Sequence, residues 1–100
     1  MSPESVLSIR MKSHAARIER DGGVLIDAVH VYIVTEDDPG RVGTWRGLFD
    51  APLCEHPDPG TTCRLSLDDG RSGTILIRKA TPRGHALSVP IEFEGKSLLA

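Results

Sequence analysis

The sequence predicts an all-β fold, a small antiparallel β-barrel or roll of about six short strands with at most one short helix, formed by residues 1–100 as a single domain. Apolar and polar residues alternate in several segments, as they do in half-buried strands. Gly, Pro and Asp turn signals separate these segments, and no long segment has a dependable helical period. Closure into a barrel would remove the unpaired edges that an open sheet exposes.

The N-terminal segment, residues 7–20, fits two kinds of structure. Apolar residues occupy every second position at its start, which is the pattern of a strand. Ser13 is also suited to cap a short helix over residues 14–20. We favour the strand.

Two β-hairpins are predicted by their turn residues. Asp21-Gly22-Gly23 precedes a long apolar strand over residues 24–34, and Asp69-Gly70 separates residues 63–67 from residues 74–77. An Asp-Gly pair tolerates the positive φ angles at the centre of a tight primed turn. We therefore expect such a turn at Asp69-Gly70, which is the strongest hairpin signal in the chain.

Two further strands are expected at residues 42–51 and 87–94. In the first, Trp45 and Phe49 share one parity, and because the chain has few aromatic residues we expect both near the centre of the core. In the second, Pro90 has no N–H to give to a ladder. This proline predicts either an edge strand or a bulge.

Composition limits the classes of partner. The formal net charge is −2, so the chain as a whole does not attract nucleic acid or an anionic membrane. No apolar run approaches the roughly 20 residues that span a bilayer, and no export signal is recognisable at the start. Two cysteines without an export signal are typical of a reducing compartment, so we expect a cytoplasmic protein.

Familiar catalytic motifs are missing from the sequence. It contains no Walker-type phosphate loop, no His-Glu-x-x-His and no Gly-x-Ser-x-Gly. We therefore expect no enzyme and no cofactor. The leading hypothesis is a non-enzymatic interaction or binding module that contacts a protein partner or a second copy of itself.

An apolar patch on the outer surface is one candidate for that contact. Val34, Leu48 and Leu76 fall on parities that are otherwise polar. Single apolar residues on an outer face are common, and the alternative is that the three together form a dimer or partner patch.

An arginine face is the first alternative. The parities of three strands direct Arg46, Arg64 and Arg78 outward. Guanidinium groups bind phosphate and carboxylate in a bidentate manner, so three on one face would favour an anion, a nucleotide or nucleic acid. Charged residues are also the usual occupants of outward positions.

A metal site is the second alternative. Cys54, His56, Cys63 and His85 supply the thiolate and imidazole groups that zinc prefers. Their spacing matches no tight ligand motif, and Cys63 shares its parity with Leu65 and Leu67. We therefore expect Cys63 to be a buried thiol, with a Cys54–Cys63 disulfide forming only on air oxidation.

Overall fold

The computed structural model describes residues 8–37, 44–53, 56–84 and 87–100, and over these ranges the chain is all-β. The strands are β1 (Ser8–Arg20), β2 (Gly23–Asp37), β3 (Thr44–Pro52), β4 (Thr62–Leu67), β5 (Ser72–Ala80) and β6 (Ser88–Gly95). They form a closed antiparallel barrel in the order β1-β2-β3-β6-β5-β4. The predicted fold class is therefore confirmed, and the ambiguous N-terminal segment is a strand.

The interior of the barrel is filled by side chains that alternate along every strand. Its largest fully buried members are Phe49, Ile18, Leu65, Ile75, Ile77, Ile91, Val31 and Val89. Phe49 is a fully buried member of this cluster, which agrees with the expectation that it belongs to the core. Trp45 is only partly buried, so its predicted central position is wrong. Its indole packs over the backbone of Gly95, and its Nε1 donates a hydrogen bond to the carbonyl oxygen of Ser97 at 2.8 Å.

Both predicted hairpins are present, but they differ in turn type. Asp21 (φ 53°) and Gly22 (φ 79°) form a two-residue primed turn between the paired residues Arg20 and Gly23. Asp69-Gly70 does not form such a turn, because only Gly70 has a positive φ there (94°).

The loop at Asp69-Gly70 has three residues. The amide of Gly70 donates to the carbonyl oxygen of Leu67 (3.1 Å), and the amide of Leu67 donates to the carbonyl oxygen of Arg71 (2.8 Å). This is a type I turn followed by a glycine bulge. The Asp69 carboxylate accepts the Arg71 amide at 3.0 Å, which stabilises the turn without a positive φ at Asp69.

The strand that contains Pro90 pairs with β3 on one side and with β5 on the other, so the predicted edge strand is wrong. The register shift of the β5–β6 ladder lies between Ile77 and Lys79, so the predicted bulge does not fall at Pro90 either. Pro90 is opposite Asp50 of β3, and its carbonyl accepts the amide of Thr81 on the β5 side. The ladder between β5 and β6 ends one residue earlier, at Ala80 and Ile91. The missing N–H therefore faces a position where the regular ladder has already stopped.

No helix in the described ranges is long and apolar enough to cross a membrane.

Candidate partner-binding surface

The barrel closes through a short seam between β1 and β4. The two strands pair over four residues only, from Ala16 opposite Leu67 to Glu19 opposite Arg64, and the amide of Asp68 adds one bond to the carbonyl oxygen of Ala15 (2.9 Å). Because β4 has six residues and β1 has thirteen, β1 continues past the turn that ends β4. Among the residues that the structure describes, residues 8–14 of β1 pair with β2 alone.

The register decides which backbone groups of β1 face this open edge. In a strand, the N–H and C=O of one residue point to the same side, and successive residues alternate. The carbonyl of Ala15 points to the β4 side, since it accepts the amide of Asp68. Met11 and Ser13 therefore face the open edge, whereas Lys12 and His14 face β2. The backbone groups of Met11 and Ser13 have no ladder partner within the described ranges.

An apolar surface lies on the outside of the barrel beside this edge. Met11 of β1 is 62% exposed, and Tyr32 of β2 and Leu48 of β3 are 41% and 44% exposed. Tyr32 is directly opposite Leu48 in the register, and Val34 is directly opposite Met11. Val34 also points outward but is only 8% exposed. We call Met11, Tyr32, Val34 and Leu48 the outer patch.

The outer patch differs from the patch predicted from the sequence. Val34 and Leu48 belong to it, but Leu76 lies on β5, beyond the charged outer residues of β6, where it pairs with Glu94. Met11 and Tyr32 were not predicted. For Tyr32 the strand parity was an available signal, because it alternates with the buried Val31 and Ile33. For Met11 the sequence held no such signal, because its neighbour Lys12, which shares a face with buried Ile33, is polar.

The three predicted arginines all lie on the outer surface, but only two of them flank a common group. Arg46 of β3 is opposite Glu94 of β6, and Nη1 of Arg78 lies 3.4 Å from Oε1 of Glu94. Arg64 is on β4, opposite Thr74, and Nη2 of Arg64 donates to the hydroxyl of Ser72 at 2.7 Å. Arg46 and Arg78 therefore lie beside Glu94, whereas Arg64 lies beside Ser72, and the three arginines do not form one common group.

The four residues of the predicted metal site are only partly described. Cys54 and His85 lie outside the described residues. Nδ1 of His56 is 3.3 Å from the carbonyl oxygen of Pro57. Cys63 is a free, buried thiol in the core cluster, as its parity predicts. The described part of the chain contains no group of three or more metal-ligating side chains.

The environment of Cys63 favours the neutral thiol. Burial raises its pKa above the ordinary value, with Arg20 acting in the opposite direction and Asp21 adding to the rise. The thiolate is the form that binds metal and attacks electrophiles. Cys63 is therefore suited to packing rather than to chemistry.

No protein-family model matches this chain, and neither a curated protein nor a solved structure is significantly similar to it. Conclusions about function therefore depend on the geometry of the barrel itself.

Proposed function

We propose that this protein is a non-enzymatic binding module that accepts an extended segment of a partner protein along the open edge of β1. The supporting observation is that the edge-facing backbone groups of Met11 and Ser13 have no partner in the part of the chain that the structure describes. An exposed row of N–H and C=O groups is a template for another strand, and strand addition is a common mode of peptide recognition.

The outer patch is the source of specificity in this proposal. Side chains of an added strand alternate between the two faces of the sheet. The side chains of the added strand that face outward would lie next to Met11 and Ser13 of β1. Longer ones would also reach Tyr32 and Val34, which lie opposite these two residues on β2. We therefore expect the bound segment to carry apolar residues at every second position.

Order-of-magnitude free energies indicate that the outer patch must contribute to binding. Each ladder hydrogen bond contributes a net ~1 kcal/mol, so the bonds to Met11 and Ser13 supply only a few kcal/mol. Micromolar binding needs about 8 kcal/mol. Burial of each large apolar side chain supplies roughly 1.5–3 kcal/mol, so contacts with the outer patch must provide most of the affinity.

The test uses a displayed library of short extended peptides selected on the wild-type protein. Binding of the selected peptides is then measured for Ser13→Pro, which removes an edge-facing N–H and leaves the β1–β2 ladder intact. Tyr32→Glu tests the patch, and Val24→Glu is its matched control, because Val24 is another exposed apolar residue of β2 outside the patch. Circular dichroism confirms that each variant is folded.

We expect Ser13→Pro and Tyr32→Glu each to weaken binding by ~10-fold or more, and Val24→Glu to have little effect. Equal affinity for all four proteins would overturn the proposal. Failure to select any peptide would also count against it. A wild-type dimer that Ser13→Pro dissociates would assign the edge to a second copy of the chain instead of a foreign segment.

A further inference from the structure

A cavity of about 150 Å³ lies at the end of the barrel where the seam opens. It is formed between the inner face of the β1–β2 pair, the start of β5 and the C-terminal segment. The lining residues are Lys12, His14, Ile33, Thr35, Arg71 and Leu99. Lys12 and His14 have inward parity, since they pair with Ile33 and Val31. They enter the cavity because β4 ends before it could cover this part of β1.

The nitrogen-bearing side chains of this cavity retain unused hydrogen-bonding groups. In the part of the chain that the structure describes, neither the ammonium of Lys12 nor the ring of His14 takes part in a hydrogen bond or an ion pair. The Nε of Arg71 donates to Oδ2 of Asp69 at 2.9 Å, and its backbone amide donates to Oδ1 at 3.0 Å. The backbone bond holds the Asp69 carboxylate, the Nε bond orients the guanidinium against it, and the Nη groups make no hydrogen bond with described residues.

Asp69 is the carboxylate that offsets this positive charge. The hydrogen bond from the backbone N–H of Arg71 is the largest influence and lowers the pKa of Asp69. Burial opposes it, and the guanidinium of Arg71 and the neighbouring His14 lower the pKa further. Asp69 is therefore ionised and balances one positive charge. The other, on Lys12, has no counter-ion among the described residues.

We infer that this cavity binds a single phosphate-type oxyanion. The fixed guanidinium of Arg71 and the ammonium of Lys12 supply the charge, and His14 and Thr35 supply further donors. Pockets for drug-sized ligands and cofactors usually measure roughly 300–1,000 Å³, so this smaller cavity is suited to enclose one anionic group rather than a whole ligand of that size. The apolar walls, Ile33 and Leu99, reduce the local dielectric and strengthen the attraction.

Inorganic phosphate is the probe, titrated at constant ionic strength into isotope-labelled protein and followed by amide chemical shifts. Lys12→Met removes the charge that has no counter-ion among the described residues. Lys79→Met is the matched control, because Lys79 is an exposed lysine on β5 outside the cavity. A parallel titration with a phosphoserine peptide compares its affinity with that of inorganic phosphate. Tighter binding of the peptide assigns the oxyanion to a macromolecule, and tighter binding of phosphate assigns it to a free ion; both results support the site.

We expect saturable shifts centred on residues 12, 14, 35 and 71, a loss of affinity of ~10-fold in Lys12→Met, and almost none in Lys79→Met. Non-saturable shifts, or equal affinity in both variants, would overturn the inference. Because Ser13 faces outward and does not line the cavity, Ser13→Pro should leave phosphate binding unchanged, so this site and the proposed peptide edge can fail separately.

Discussion

The amide of Asp68 donates a hydrogen bond to the carbonyl oxygen of Ala15 at 2.9 Å, and it is the last backbone bond that joins β1 to the β4 side of the barrel within the described ranges. The chain turns immediately afterwards, at Asp69 and Gly70. This turn has two consequences: no described strand covers the edge of β1 beyond Ala15, and Arg71 is placed in the cavity beside Lys12. The open edge and the cationic cavity therefore have one structural cause.

The contact between Trp45 and Gly95 leads to the first prediction. A Cβ at Gly95 would overlap the indole ring of Trp45. We expect Gly95→Ala to lower the free energy of unfolding by roughly 1–3 kcal/mol, as overpacking does. Gly23→Ala is the control, because a Cβ there makes only an ordinary contact with the Arg20 carbonyl oxygen, at 3.7 Å. Urea denaturation measures both, and equal stability of the two variants would contradict this packing.

The turn at Gly70 leads to the second prediction. Gly70 has a φ of 94°, and no atom would obstruct an added Cβ, so a substitution there reports on backbone strain alone. We expect Gly70→Val to cost about 1 kcal/mol or more, because β-branched residues resist positive φ. Gly70→Asn should cost less, since Asn tolerates this region better. Thermal denaturation measures both variants, and equal midpoints for Gly70→Val and Gly70→Asn would contradict the assigned turn.

Phe49 and Tyr32 lie on opposite faces of the barrel wall, which gives the third prediction. Phe49 is fully buried, so Phe49→Ala should reduce stability by roughly 3–5 kcal/mol. Tyr32 is on the exposed outer patch, so Tyr32→Ala should cost less than about 1 kcal/mol. The same urea titration compares them. Similar losses for both residues would mean that the parities of β2 and β3 are incorrectly assigned.

The buried thiol of Cys63 gives the fourth prediction. Because burial raises its pKa, the reactive thiolate is scarce at neutral pH. In a Cys54→Ser background, which leaves Cys63 as the one thiol, we expect iodoacetamide to modify the folded protein far more slowly than the protein in denaturant. Mass spectrometry follows the modification. Equal rates in the two states would show that Cys63 is accessible and that the core is incorrectly described.

Strand parity explains why much of the barrel could be predicted from the sequence. Alternation placed Phe49 and Cys63 inside and Arg46 outside, and glycine marked both hairpins. The open edge was not predictable, because it depends on the unequal lengths of β1 and β4 and on their register, which is set by tertiary pairing. The β1–β2 ladder also has two register shifts, after Ala16 and after Ile18. They change which residues of the two strands lie opposite each other, so the pairing cannot be counted from residue numbers alone.

The partly buried position of Trp45 was missed for a related reason. Its parity is inward, but the place it occupies depends on Gly73 and Gly95, whose missing side chains leave room for the indole at one end of the barrel. The candidate sites were missed because Lys12 and His14 are polar residues on an inward parity of β1. Such residues become informative only when the strand that would cover them is known to end early.

Amide hydrogen exchange of β1, measured by NMR for the free protein and for its complex with a selected peptide, tests the central claim most directly. We expect the amides of Lys12 and His14 to be protected in both states, because they face β2. The amides of Met11 and Ser13 should exchange rapidly in the free protein and become protected when the peptide is bound. Protection of Met11 and Ser13 in the free monomer, or no change on peptide binding, would contradict an open edge that receives a partner strand.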